Sequence, residues 1–570
     1  MTQPAGSQAA VEDNGTPLGF QALMGEALRL LKPVRLLALL ASLLGIASGL
    51  TVAALLAQIN RALNTEGGAT YLVLLGFGGL VLVSIAMSLG SEICNTYVGQ
   101  RVVAALRRDL CRRIVASPLE RIDRITPQKL MAVLTADLDA LSGITLALAP
   151  LIVAAATTLA CFGYLAWLSP ALFAVVAVAV IVGGIANARA RRSGTKRIEA
   201  VWEAHEDLLK NFRNLVDGGK EMRMNYERRH GLLEGSLVGA IDRITGLQIR
   251  MRQQFGVADA IASGLLWGTV VMVLAVDSWV GRANAGAFIL ALLFVRGPME
   301  QLIGALPLLS RSEVALRRIT ALSKSLGSHG QPVTPLAAAP IPPPFDEIEL
   351  MGVSYTYPGH DGQADVVLGP FDLTVKRGEI LFITGENGAG KSTLVMLLTG
   401  LYAPRQGSLT LDGKAIDDSA LDGYRELFST VFYDFHLLDD LILPTDIEPG
   451  EIEGVLDKLK LSHKVSVTEG RLSTTDLSAG QRRRLALLQV YLDRRPIIVL
   501  DEWAAEQDPI FRRFFYTEIL PELHRRGTTI VAVSHDDRYF SAAQRCLMLM
   551  DDGRFVAMSQ TRAQPDVSLS

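Results

Sequence analysis

The stretch GENGAGKST, Gly385 to Thr393, decides how this chain is read. It follows the apolar run Ile380-Leu381-Phe382-Ile383 and precedes the helix-forming Leu394 to Leu401, so the pattern G-x-x-x-x-G-K-[ST] stands in a strand, loop, helix context. Glycines such as Gly385, Gly388 and Gly390 let backbone N–H groups curl around phosphate oxygens at a positive helix terminus; Asn387 and Thr393 belong to the same nucleotide-binding stretch. Lys391 is expected to neutralise the β- and γ-phosphates, and Ser392 to offer its hydroxyl to Mg2+. Downstream, Ile497-Ile498-Val499-Leu500 reads as a buried strand ending in Asp501 and Glu502. Asp501 is placed to hold the Mg2+ shell, and Glu502 to polarise water attacking the γ-phosphate.

Outward from this core the composition changes. Of 570 residues, 49% are hydrophobic and 20% charged, below the roughly quarter expected of a soluble chain. The excess is concentrated before residue 310. The windows Leu36–Ala57, Tyr71–Leu89, Leu141–Trp167, Ala171–Ala188 and Ala260–Val276 carry no charge, and a sixth run begins near Ala283. Most are near the roughly 20 residues that cross a hydrocarbon core, so six spans are expected, the third and fourth joined by a tight turn at Leu168-Ser169-Pro170. The sixth is interrupted by Arg296, Pro298 and Glu300; the two charges either line a cavity, pair only with each other, or lie beyond a span ending at Val295. The first span is too long for a signal-peptide core and is expected to stay in the protein.

Lys and Arg crowd the links between spans two and three (Arg101 to Lys129) and four and five (Arg189 to Arg229), while the short loops hold only Arg61 and Arg282. Both links and both termini are therefore expected in the cytoplasm, with anionic lipid as a further partner of the basic residues. The links read as helical, broken at Ser117-Pro118, Thr126-Pro127 and Asp217-Gly218-Gly219. The Pro/Ala-rich Gln331–Phe345 cannot sustain a helix. Expected regions are a cytoplasmic segment 1–33, a membrane domain 34–325, a linker 326–345 and a catalytic domain 346–570. The net charge of −3 gives no basic footprint for nucleic acid. Cys94, Cys111, Cys161 and Cys546 lack any metal or redox spacing.

A third motif, LSAGQRRRLALL from Leu477 to Leu488, resembles the LSGGQ signature of ABC ATPases, with Ala479 replacing a glycine. The resemblance implies a six-helix ABC exporter transmembrane domain followed by an α/β P-loop nucleotide-binding domain. It further implies that Ser478 and Gly480, with Gln481 beside them, bind the γ-phosphate of ATP held by an opposite subunit. Tyr357 in SYTYPG resembles the residue that stacks on adenine, Asp508 the D-loop aspartate and His535 the switch histidine, and Thr468-Glu469-Gly470 lies where exporters touch a partner's intracellular loops. Two departures stand out. Tyr433 occupies the usual Q-loop glutamine position, leaving Asp434 as the nearest metal candidate, and DEWAAEQDP stands where DEPTSALD is usual. With VFYDFHLLD, SHDDRYF and FRNLVDGGKEMRMNYERR, that wording resembles the cyclic-peptide exporter family, which includes syringomycin-type and pyoverdine-type half-transporters.

The family implies a homodimer in the bacterial inner membrane that moves a peptide-derived cargo outward at the expense of ATP, with Mg2+. A multidrug or lipid exporter would share every motif; an importer on the same fold, or an ATP-gated channel or regulator, are further alternatives. Lys391, Asp501, Glu502 and His535 are all present, which favours a working ATPase over the last.

Overall fold

A computed structural model describes residues 34–64, 71–280, 285–327, 342–358, 364–417, 419–441, 447–550 and 553–558. The expected N-terminal segment and most of the Pro/Ala-rich linker lie outside them. Two compact units result, one from described residues of 15–115 and 126–329, the other from those of 116–125 and 330–570.

The first unit is helical. Its long helices are Arg35–Asn64, Tyr71–Ala116, Leu138–Leu168, Pro170–Asp217, Val238–Val280, Ala285–Gly304 and Leu306–Leu326. Among the described residues, five helical runs are long and apolar enough to cross a membrane, and the fourth expected span is represented there by the apolar stretch Pro170–Ala186 of a longer helix. The hairpin between the third and fourth runs forms as expected: Ser169 is extended, and Pro170 opens the next helix where its missing N–H costs nothing. The last apolar helix does not stop at Val295 but continues through Pro298 to Gly304. Arg296 Nε donates to Glu300 Oε1 at 2.7 Å and Nη2 donates to Ser263 Oγ at 3.1 Å, so the two charges do pair.

Small residues allow close helix contact without a hydrophobic drive from lipid. A Cβ on Gly49 would lie 2.6 Å from that of Ala156, and one on Gly99 2.7 Å from Thr145 Oγ1. Polar bonds accompany them: Ser91 Oγ donates to Ala41 O (2.8 Å) and Asn95 Nδ2 to Thr145 O (2.7 Å).

The second unit holds the strands β1 (Glu347–Tyr357), β2 (Val366–Lys376), β3 (Ile380–Gly385), β4 (Gln406–Leu411), β5 (Lys414–Ala415), β6 (Phe428–Val431), β7 (Val467–Thr468), β8 (Arg471–Leu472), β9 (Ile497–Asp501), β10 (Thr529–Val533), β11 (Arg545–Leu549) and β12 (Phe555–Ala557). An antiparallel sheet runs β2-β1-β4-β5. A second sheet, β12-β11-β3-β10-β9-β6, is parallel apart from β12. Strands β3, β9 and β10 are buried throughout, which is why they read as uninterrupted apolar runs. The carboxyl ends of β3, β9 and β10 carry the P-loop, Asp501 with Glu502, and Ser534-His535, so parallel pairing delivers three distant motifs to one sheet edge. The short helix Leu119–Asp123, from the first basic link, belongs to this unit, with Leu119 packed on its core.

Candidate nucleotide site

The loop after β3 is shaped by its glycines. A Cβ on Gly385 would meet Leu549 O at 2.6 Å, and Gly390, left-handed at φ +92°, turns the chain into the helix Lys391–Leu398. Lys391 is 6% exposed, its Nζ donating to Gly385 O (3.0 Å) and Glu386 O (2.9 Å), so the ammonium lies across the loop that would receive phosphate. An open cavity of about 780 Å3 is lined by Gly385, Glu386, Asn387 and His535 among others.

Asp501, at the end of β9, is almost fully buried, with the Ser392 hydroxyl, the Lys391 ammonium and the Tyr433 main chain near enough to favour its charged form. Burial pushes its carboxyl above the ordinary range, and the nearby Glu502 charge adds to that. Its Oδ1 is buried with no hydrogen-bond partner among the described residues. An orphaned carboxylate oxygen beside a hydroxyl is a hard-oxygen donor set, and Ser392 with Asp501 fits Mg2+. Asp434 stands exposed on the turn after β6 and forms no bond with that pair among the described residues.

Glu502 adopts φ +50°, which costs a non-glycine residue about 1 kcal/mol or more. Its N–H donates to Val533 O (3.0 Å) at the end of β10, and its Oε1 lies 3.4 Å from His535 Nε2. The strand pairing thus sets two sequence-predicted residues, Glu502 and His535, side by side.

Tyr357 ends β1, partly exposed, and its hydroxyl is 3.0 Å from Thr393 Oγ1. Beneath it Tyr355 and Tyr402 are stacked, with ring centroids 4.7 Å apart. The Tyr402 hydroxyl donates to Asp123 Oδ2 (2.8 Å), and Glu120 Oε1 accepts from Ala403 N (2.6 Å), so the helix Leu119–Asp123 is clamped next to the Tyr357 cluster. Burial and the Asp123 bond raise the Tyr402 phenol well above its ordinary range, keeping it a donor. Sequence reading missed Tyr402, Glu120 and Asp123, because no local pattern links residues this far apart. Replacing Tyr357 by Ala is expected to weaken ATP binding roughly tenfold, the value of one aromatic stacking contact, while kcat at saturating ATP stays within about twofold; titration with a fluorescent ATP analogue measures the first.

The signature motif caps its helix. Ser478 is the N-cap of Ala479–Asp493, its side chain accepting from Gln481 N while Gln481 reaches back to Ser478 N. Ser478 is exposed, and a Cβ on Gly480 would lie 2.9 Å from Glu506 O. Asp508 caps Pro509–Phe514 and pairs with Arg484. Glu469 and Gly470, both at positive φ, form the tight turn of the β7–β8 hairpin. Among the described residues, no bond joins Ser478 or Gly480 to Gly385–Thr393. Arg483 was also overlooked, although helical spacing with Leu487, Val490 and Tyr491 sets it on the apolar face, where a charge is conspicuous.

A bundle of apolar helices and a P-loop ATPase unit in one polypeptide define an ATP-driven membrane transporter. Residues 35–218 match the family model of the ABC transporter transmembrane region, and residues 368–505 that of the ABC transporter. The ATP-binding protein SyrD of Pseudomonas syringae pv. syringae is 34% identical over 521 residues, covering 89% of this chain and 92% of SyrD. The ATP-dependent lipid A-core flippases of Methylobacillus flagellatus and Burkholderia orbicola are 28% and 24% identical, over 84% and 83% of this chain and 82% and 80% of theirs. The chain belongs to the ABC transporters, as an exporter with membrane and ATP-binding regions, and it hydrolyses ATP.

Proposed function

We propose that this chain is half of a homodimeric exporter that moves a peptide-derived metabolite out of the cytoplasm across the bacterial inner membrane. The observation that carries the cargo class is the likeness to SyrD along nearly the whole chain, in keeping with the cyclic-peptide-exporter wording at VFYDFHLLD and DEWAAEQDP. The membrane domain of 34–325 is read as six spans, the short fourth one completed by residues beyond Ala186, and the domain from 346 onward as cytoplasmic beside the basic links.

In this reading Lys391 and the P-loop amides hold the β- and γ-phosphates, Tyr357 stacks on adenine, and Ser392 with Asp501 holds Mg2+, which when bound offsets charge on the phosphate oxygens. Glu502 accepts a proton from the attacking water, and His535, beside it, faces the γ-phosphate. Exposed Ser478 and half-buried Gly480, with no bond to their own P-loop among the described residues, serve the nucleotide of a second copy, with Asp508 alongside. In the second basic link Val216 and Met224, 77% and 88% exposed, are available for contact with such a copy. Closure of the ATPase pair would reach the membrane helices through Leu119–Asp123, clamped by Tyr402 and Ala403.

The flippase relatives favour a second reading, lipid export, and one experiment separates the two. Purified protein in inside-out vesicles is given Mg·ATP with a fluorescent cyclic lipopeptide or, in parallel, a fluorescent lipid A-core analogue. ATP-dependent uptake of the lipopeptide, absent in Glu502→Gln protein, is expected; movement of the lipid alone would refute the peptide assignment.

A further inference from the structure

Arg483 lies in the first turns of the signature helix, yet it is only 3% exposed. Its guanidinium joins three segments. Nη1 donates to Glu502 O at 2.6 Å, Nη2 donates to Tyr433 O at 3.4 Å, and Nε lies 3.1 Å from Glu506 Oε2. The Tyr433 ring covers the guanidinium at 5.2 Å, and the buried Trp503 donates from Nε1 to Arg483 O at 2.7 Å. A buried charge is costly unless paired and hydrogen-bonded; here Glu506 supplies the pair and the Glu502 and Tyr433 carbonyls the hydrogen bonds, while Nε makes no hydrogen bond among the described residues.

The bond to Glu502 O bears most directly on the reaction. Glu502 is a non-glycine residue at φ +50°, with its N–H held by Val533 O. Its carbonyl is held by Arg483, so the peptides on both sides of the strained Glu502 Cα are pinned. Only a planar fork reaches the Glu502 and Tyr433 carbonyls together while keeping the Glu506 carboxylate in range. Tyr433, whose carbonyl accepts from Arg483 and whose ring covers the guanidinium, therefore acts through its main chain and its ring.

We propose that Arg483 is a positioning residue: it holds the Glu502 backbone in its left-handed conformation and ties that carboxylate to the signature helix, with Glu506 balancing its charge and Tyr433 covering it. The inference rests on Glu502 being the general base. It also explains why Tyr433, Trp503 and Glu506 occur with Arg483, since each of the three contacts it.

The test uses full-length protein in lipid nanodiscs, with steady-state ATPase kinetics and binding of a fluorescent ATP analogue. Arg483→Gln is expected to lower kcat about thirtyfold with KM for ATP within about twofold, because Glu502 is misplaced while the P-loop is untouched. Arg483→Lys recovers part of that loss, since an ammonium can pair with Glu506 but cannot span both carbonyls. Glu506→Gln, a mild change at a half-exposed side chain, lowers kcat about threefold at constant KM. Unchanged kcat in Arg483→Gln and Glu506→Gln, alongside an inactive Glu502→Gln, overturns the Arg483 assignment alone. A Glu502→Gln protein that still turns over overturns the base assignment beneath it. Should Arg483→Gln fail to fold, Arg483→Lys and Glu506→Gln decide: a kcat loss at constant KM sustains the proposal, and wild-type kcat in both refutes it.

Discussion

Changing Glu502 to Gln is expected to reduce ATP turnover about a thousandfold, within the range that a positioned general base contributes, while ATP affinity stays within about twofold. The amide is isosteric with the carboxylate, so the backbone at φ +50° and its bonds to Val533 and Arg483 are kept, and only the proton acceptor is removed. His535, with Nε2 3.4 Å from Glu502 Oε1, has a side chain nearly half exposed and cannot take over without the carboxylate beside it. Single-turnover hydrolysis of radiolabelled ATP, with the unhydrolysed nucleotide counted on the protein, reads both quantities. Turnover near the wild-type rate would mean that water is activated elsewhere.

The second large effect is complementation. Lys391→Ala removes the ammonium held by Gly385 O and Glu386 O, which in the proposed site is the main counter-charge for the β- and γ-phosphates. Gly480→Ala places a Cβ 2.9 Å from Glu506 O and displaces the signature turn. Each homogeneous protein is expected to lose ATPase activity by at least about a hundredfold. If each site takes its P-loop from one chain and its signature from the other, a mixed pair keeps one intact site. Co-expression of the two variants should then restore about a quarter of wild-type activity, from half the dimers being mixed and one site in two being whole. No recovery in mixed, doubly tagged and purified dimers would exclude a shared site.

The parts of the site that are legible in the sequence are those whose geometry is local. Gly385 to Thr393 is one loop and one helix turn, and its spacing alone orders the phosphate contacts. The strands β3, β9 and β10 show as apolar runs because they are buried on both faces, so Asp501, Glu502 and His535 can be placed at strand ends before any pairing is known. Hydropathy likewise exposes the membrane helices, five of which are long and apolar enough to span among the described residues.

The amino-acid sequence by itself determined the two-part architecture and the chemistry of the phosphate loop, since periodicity, charge and contiguous spacing are properties of neighbouring residues. Only the tertiary structure decided that Glu502 is strained, that buried Arg483 grips its carbonyl, and that Asp123 meets Tyr402 across 279 residues of chain. Those relations depend on parallel strand register and on side chains brought together from separate loops. No residue pattern of short range encodes them.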